Sequence, residues 1–388
     1  MTPSVVLVGA SGFGRSHLTE LLALHAGGGI RLVGVVDIAP APELQRLFAD
    51  HDAHPVVGPD LARLLDAVHP DSVVIATPPH THATLARTAL SAGCAVYLEK
   101  PPVPLPSELA ELDELAGDTR FEIGFQQTPG LVAAVAAALD GHDLGPITRV
   151  TGFGAVRRPD SYYRRADWAG RLRLDGRPVF DGSLFNPFAH VVHGALAVAR
   201  TLDPAEWRSA HVTAERGSVR GIEADDVAAL RIVTASRGRR APIVTAVATT
   251  AADEIIEPSL LVVGERGGVR LRLRDLGGTV DDHSRPVCEL PAREHESRLR
   301  AAVLDPRGTA NPLLTASAAA PFVGVVAAVA QHCPPPTPMT GLARVSQDSG
   351  ERWVDLPGLT RAVEAAAIEG TLLSDQQIGI GAASTVEV

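Results

Sequence analysis

The chain has almost no lysine. Of its 35 positively charged side chains, Lys100 is the sole lysine and the other 34 are arginines. Cysteine is scarce as well: Cys94, Cys288 and Cys333 are odd in number, far apart and form no C-x-x-C, which argues against a disulfide framework and against a zinc knuckle. Aromatic residues make up only 4% of 388 positions, so the apolar interior has to lean on Ala and Val. There is no block of basic residues in a chain of net charge -10, and without clustered Lys and Arg a nucleic-acid backbone has nothing to hold it. The longest apolar runs, such as LVAAVAAAL and FVGVVAAVA, reach about half a membrane span. No basic leader precedes SVVLVG, so no membrane partner is expected and the expected location is cytoplasmic.

A length of 388 residues fits two domains better than one core. Residues 4 to 122 alternate β-branched runs (SVVLVG, RLVGVVD, SVVIAT, AVYLE) with helical patterns, the signature of a parallel sheet with crossover helices. From about residue 146 the runs ITRVTGFGAV, DVAALRIVT, IVTAVATT, SLLVVG and GVRLRLR follow one another with tight turns, which predicts a mostly antiparallel sheet. The fold class expected is therefore α/β: a doubly wound Rossmann domain over 1–124, then an α+β domain over 125–388 with an open, mostly antiparallel sheet. A last helix, near 358–370, is a candidate for packing back on the first domain.

The first strand ends in Gly9-Ala10-Ser11-Gly12-Phe13-Gly14, and a helix pattern begins at once. Glycines in such a turn let backbone N–H groups approach a pyrophosphate, whose charge is favoured at a helix N-terminus. Asp37 closes the second strand 23 residues after Gly14, where a carboxylate accepts hydrogen bonds from an adenosine ribose diol. Ile38 follows it in place of an arginine, which favours NAD over NADP, although Arg46 on the next helix is within reach of a 2'-phosphate.

With this fingerprint in place, three further segments, Ala76-Thr77-Pro78-Pro79-His80-Thr81-His82, ALSAGCAVYLEKPPV and IGFQQ, carry a resemblance. In that order they resemble the glucose-fructose oxidoreductase, inositol dehydrogenase and rhizopine-catabolism family (Gfo/Idh/MocA), over residues 4 to about 127 and more loosely beyond. The resemblance implies NAD(P)-dependent redox chemistry at a secondary alcohol or ketone of a sugar, cyclitol or polyol, in a cleft between the two domains. It implies homodimers or homotetramers formed through the second sheet. It makes Lys100 the catalytic lysine, with Glu99 beside it and a cis bond to Pro101. It also places Thr77, Pro78, His82 and Gln126 near the cofactor, together with Gly9, Ser11, Gly12, Phe13, Gly14 and Asp37.

Further catalytic groups are expected from VFDGSLFNPFAHVVHGALAVAR, where Asn186 stands at the position that family fills with aspartate and His190 at its histidine. On a helical projection from Asn186, at about 100° per residue, Asn186, His190 and His193 share a polar line free of Glu, Arg and Lys, which suits a cleft better than open solvent. Asn186-Pro187 also has the chemistry of a helix N-cap followed by Pro at N1, so Asn186 is read as a cap, a substrate ligand or both. His190 is read as a general acid/base or as a structural histidine, and His193 as a substrate contact. No third ligand is spaced for zinc, so no metal is expected. Tyr162, Tyr163, Trp168 and Arg164 gather in RRPDSYYRRADWAGR, which suits a sugar ring, an anionic substrate or an interface equally. Two rival functions stay open: elimination by an enzyme that recycles its own NAD, and a non-catalytic dinucleotide sensor.

Overall fold

The computed structural model describes residues 2–203, 210–234, 241–282 and 286–388. Two compact units divide the chain, 1–126 with 296–320, and 127–295 with 321–388. In the first unit β1 (Ser4–Val8), α1 (Gly14–Ala26), β2 (Arg31–Val36), α2 (Leu44–Asp50), β3 (Val56–Gly58), α3 (Leu61–Val68), β4 (Ser72–Ile75), α4 (Pro79–Ser91), β5 (Ala95–Leu98), α5 (Pro106–Ala116) and β6 (Phe121–Ile123) alternate in sequence. All strand pairings are parallel, in the order β3-β2-β1-β4-β5-β6 of a Rossmann sheet. Burial on both faces explains why β1 is apolar from Val5 onward (SVVLV, all five residues buried) where a half-exposed strand would alternate. Gly34 lets β2 lie close under α3, since a Cβ there would lie 2.5 Å from a Leu64 methyl.

The stretch 296–320 belongs to this unit although it lies far along the chain. Leu299, Ala302 and Val303, from the helix Arg298–Leu304, join the core of Leu18, Leu21, Leu22 and Val74. Glu122, fully buried, accepts from Arg120 at 2.8 Å and from the backbone N–H of Asn311 at 2.7 Å, with Arg298 at 3.5 Å. Ser297, the N-cap of that helix, donates to Glu20 on α1.

The second unit contains α6 (Thr128–Gly141), β7 (Ile147–Arg157), α7 (Asp160–Arg164), β8 (Arg173–Leu174), β9 (Arg177–Pro178), α8 (Ala189–Leu202), β10 (Ala210–Ser218), β11 (Val227–Thr234), β12 (Ile243–Thr249), β13 (Ala251–Gly264), β14 (Gly267–Arg272), β15 (Gly278–Asp281) and β16 (Cys288–Leu290). After α9, the Arg298–Leu304 helix, come α10 (Ala316–His332), β17 (Thr337–Pro338), β18 (Arg344–Asp348), β19 (Glu351–Asp355), α11 (Leu359–Glu369) and β20 (Ser384–Glu387). The large sheet runs β16-β15-β14-β13-β7-β12-β11-β10-β17, with β20 also on β10. It is mostly antiparallel, as expected; β7–β12 and β10–β17 are its parallel pairs.

Residue parity shows what each sheet face carries. Gly152 and Gly154 of β7 face α8, where a Cβ would meet the Val191 carbonyl oxygen at 2.7 Å and Phe188 at 2.7 Å. The opposite parity, represented by Val247 paired with Phe153 and Ala229, lies in a core with Leu359, Ala362, Val363 and Ala366 of α11 and Val354 of β19. The amphipathic last helix thus packs on that face over β7, β12 and β13.

Asp226 stands just before β11, fully buried, and accepts the backbone N–H groups of Val219 and Arg220 at 2.7 and 2.9 Å. Burial pushes its carboxyl from 3.8 up to about 6. A raised folded value means stability that is fully present below 3.8 and is lost as pH rises through about 6. An Asp226→Asn variant, which is neutral at every pH, is expected to be less stable overall because one N–H loses its acceptor. Its melting temperature should lack the wild-type decline across that window, as a thermal series over pH will show.

Candidate functional site

The motifs of the first unit fall at the carboxyl ends of its strands: Gly9–Gly14 after β1, Asp37 after β2, Thr77 and Pro78 after β4, Glu99 and Lys100 after β5, and Gln126 shortly after β6. Strand order reverses between β1 and β4, which is where open α/β sheets take their ligands. Gly9 has φ +87°, donates to the Val36 carbonyl at 2.8 Å, and would place a Cβ 2.7 Å from the Ala76 oxygen. A Cβ on Gly14 would collide with the Gly9 carbonyl, so the start of α1 can close on the turn only with glycine at both ends. Ser11, Gly12 and Phe13 are exposed, and no acidic residue sits in the first turn of α1. An exposed turn at a helix N-terminus free of negative charge suits a pyrophosphate. Asp37 does more than the sequence suggests: its Oδ2 accepts the N–H of Ala10 at 2.9 Å, bracing the turn, and its Oδ1 accepts that of Ala39 at 2.9 Å. A carboxylate has about four lone-pair sites, so acceptor capacity remains for a ribose diol.

The Lys100 corner is braced from the inside. Glu99, 4% exposed, takes Nε2 of His17 at 2.7 Å on one oxygen and the Lys100 backbone N–H at 3.0 Å on the other. The Lys100–Pro101 bond is cis, in line with the resemblance. His82 is fully buried, with Nε2 2.7 Å from the Thr77 carbonyl and Nδ1 2.7 Å from that of Pro102 and 3.0 Å from that of Pro101. It thus ties the turn after β4 to the loop after Lys100. Burial holds its pKa below the ordinary value, against the upward pull of those carbonyls and Glu99. Thr77 Oγ1 bonds to Thr81 Oγ1 at 2.7 Å, and Pro78 precedes α4 in extended conformation. Gln126 is half-buried.

In the second unit α8 starts at Ala189, with Phe188 at its N-cap and no side-chain cap bond. The capping role considered for Asn186 is therefore corrected: its backbone N–H already closes a turn on Gly182 at 3.2 Å, and its amide Nδ2 donates to Asp181 Oδ1 at 2.7 Å. The polar line does not stay at one surface either. His190 is half-buried, whereas His193 is 1% exposed, bonded to Thr128 of α6 at 2.8 Å and edge-on to Phe322 of α10. α6 and α10 cover that side of α8, which a projection of one helix cannot reveal.

The aromatic cluster is interleaved with arginines. The Arg165 guanidinium lies 3.7 Å from the centre of Tyr162 and 4.6 Å from that of Trp168, and Arg220 lies 5.2 Å from that of Tyr163. Tyr163 also bonds Thr250 through its hydroxyl at 2.6 Å. Arg164 is exposed and pairs loosely with Asp160 at 3.9 Å.

Comparison with known proteins bears on this geometry directly. The family described as oxidoreductase family, NAD-binding Rossmann fold (Gfo/Idh/MocA) matches residues 4–121. The match spans the parallel-sheet domain and stops there. An inositol 2-dehydrogenase of Saccharopolyspora erythraea is 31% identical over 130 residues, 32% of this chain and 36% of that protein's own length. Among solved structures, the WlbA dehydrogenase of Bordetella pertussis in complex with NADH and UDP-GlcNAcA has a TM-score of 0.62 at 22% identity, covering 84% of this chain and 93% of that one. An Agrobacterium radiobacter oxidoreductase in complex with NAD+, L-tartaric acid and magnesium has a TM-score of 0.62 at 15% identity, covering 84% and 95%.

NAD is the cofactor of this domain, whose matching family is described as NAD-binding. A Gly14→Ala variant is expected to lose NADH affinity by well over tenfold, because the new methyl displaces the turn at the Gly9 carbonyl. Titration of NADH fluorescence measures this, and unchanged affinity would contradict the cradle. Two residues of importance escaped the sequence reading. His17 was detectable as a polar residue among Leu18, Leu21 and Leu22 on the buried side of α1. Asp181 carried no signal, since its partner is defined only by the loop conformation.

Proposed function

We propose that this protein is an NAD-dependent dehydrogenase or reductase that transfers a hydride between the nicotinamide and a secondary carbon of a sugar-, cyclitol- or polyol-like substrate. The observation that carries the reading is the lone lysine, placed after β5 with its backbone N–H held by a buried glutamate that is itself held by His17. NAD supplies the hydride acceptor or donor when bound. Lys100 polarises the reacting oxygen and stabilises the alkoxide that develops there. His190 exchanges its proton, and Asn186 orients it by hydrogen bonding. With a neutral Asn186 in place of an aspartate, reduction of a carbonyl fits these donors at least as well as oxidation of an alcohol. Relatives that act on inositol or are solved with UDP-GlcNAcA support a polyhydroxylated substrate. The test is nicotinamide absorbance with purified protein, NAD+ or NADH, and a panel of sugars, cyclitols, their keto forms and sugar nucleotides. Net turnover of one member is expected; bound cofactor with no turnover of any would sink the reading, and product without net nicotinamide change would replace it by self-recycling elimination. We also propose a homo-oligomer through the second sheet beyond the strands covered by α11, for which light scattering should give a mass of two or four chains.

A further inference from the structure

We infer that Asp181 is the positioning carboxylate of Asn186, fixing that amide so that its carbonyl oxygen, and not its NH2, is presented to a hydroxyl of the substrate. The inference rests on the placement of Asn186 in the substrate site proposed above. The donors that converge on Asp181, which is 5% exposed, include the Asn186 Nδ2 at 2.7 Å, the Gly170 backbone N–H at 2.7 Å and the Arg165 guanidinium at 3.8 Å. A carboxylate surrounded by donors can only accept, so the NH2 side of the Asn186 amide has to face it and Oδ1 has to face away. The assignment of amide oxygen and nitrogen then follows from chemistry, independently of the placement of either atom.

The loop that carries Asp181 is held stiffly enough to make this orientation matter. Phe180, buried and bulky, has φ +52°, a left-handed conformation that a phenylalanine keeps only where its surroundings impose it. The imposing contacts are visible on both sides. Phe180 and Asp181 donate backbone N–H groups to Leu172 and Arg171 at 3.2 and 2.8 Å, and Ser183 gives both its N–H and its hydroxyl to Asp225 at 2.8 and 2.7 Å. Gly182 between them has no room for a side chain, since a Cβ would lie 2.5 Å from an Asp225 oxygen. Through Arg165, stacked between Tyr162 and Trp168, the same carboxylate also anchors the aromatic and arginine cluster to the Asn186 loop. Asp181 thereby joins two groups of residues that the sequence offers as separate candidates.

Two measurements test this, and the first needs no substrate. In an Asn186→Asp variant two carboxylates meet at hydrogen-bond distance and must share a proton, so the folded pKa of the pair rises. Stability is then retained at low pH and lost as pH rises through that raised value. The other charged or titratable groups about the loop include Arg165 and Tyr162 beside Asp181, Asp225 under Ser183 and His190 one turn further along. The gap in melting temperature between Asn186→Asp and the wild type is expected to widen from about pH 5 to about pH 8, and the double variant Asp181→Asn/Asn186→Asp, with one carboxylate again, should close it. Parallel curves for the single variant and the wild type would overturn the inference. The second measurement uses the sugar that the wild type turns over: Asp181→Ala should lose about ten- to a hundredfold in kcat/KM through misplacement of Asn186, with NADH affinity unchanged in fluorescence titration. Wild-type kcat/KM in that variant would equally overturn it. If the wild type turns over nothing in the panel, the functional reading fails while the pH series still decides whether Asp181 and Asn186 are coupled.

Discussion

A Lys100→Ala chain is expected to bind NADH with unchanged affinity and to lose about 10²- to 10⁴-fold in hydride transfer, the range that a positioned proton donor or acceptor contributes. The contacts that build the corner run through the backbone and through neighbours. Glu99 holds the Lys100 N–H, which alanine keeps, and His17 holds Glu99. Those backbone contacts survive loss of the ammonium, so the variant should keep the corner while losing the group proposed to meet the reacting oxygen. Lys100→Arg is expected to fare little better, because the guanidinium is planar, larger and effectively never deprotonated, whereas an ammonium is a compact charge with an adjustable pKa. The proposed role would also account for the composition: with 34 of 35 cationic positions arginine, the exception stands at the position proposed to need a compact, adjustable charge. Steady-state rates on the substrate found by screening, together with fluorescence titration of NADH, check both halves. Full turnover in Lys100→Ala would remove this residue from the chemistry and require another group to polarise the reacting oxygen.

How much of this could be read from the chain depends on how local each feature is. The turn from Gly9 to Gly14, the acid at Asp37 and the strand runs around them are legible because glycine, a β-branched run and a strand-end carboxylate act over a few residues. The Glu99–Lys100 corner is legible through resemblance, yet its brace is not, since His17 lies 82 positions away from Glu99 and meets it only once α1 has packed on β5. Asn186 shows the opposite case. Its neighbour Pro187 makes a helix cap the natural local reading, and the bond to Asp181 displaces that reading because the loop closes on itself before α8 begins. The polar line through His193 fails for a related reason: one helix fixes which residues share a side, while α6 and α10 decide whether that side meets solvent. Coverage of the second sheet by α11 is also a tertiary fact, as the helix pattern near 358–370 names an apolar face without naming what it covers.

The return of residues 296–320 to the first unit had no local signature, and it leads to the largest stability effect expected of a single substitution here. Glu122 is 0% exposed at the last strand of the parallel sheet and receives Arg120, Arg298 and the N–H of Asn311, the last two from the returning stretch. Arg120 in turn donates to the Asp305 carbonyl at 2.9 Å, so strand and returning segment are cross-linked in both directions. A buried pair of this kind adds little relative to an apolar replacement of both partners, but removing one partner strands the other charge, at a cost of about 3–5 kcal/mol. Glu122→Ala leaves two guanidinium groups without their carboxylate, and a domain of this size loses about 2–4 °C per kcal/mol, so a fall of roughly 6–20 °C in the melting temperature is expected. Glu122→Gln should fall between that variant and the wild type, since it keeps an acceptor oxygen for Asn311 while losing the charge. The sharper expectation concerns place. Because Leu299, Ala302 and Val303 sit in the core beneath α1, loosening the Glu122 cluster should raise amide hydrogen exchange in 296–320 and α1 together. Exchange confined to 296–320 would show that the segment is an appendage to the first unit and not part of its cooperative core.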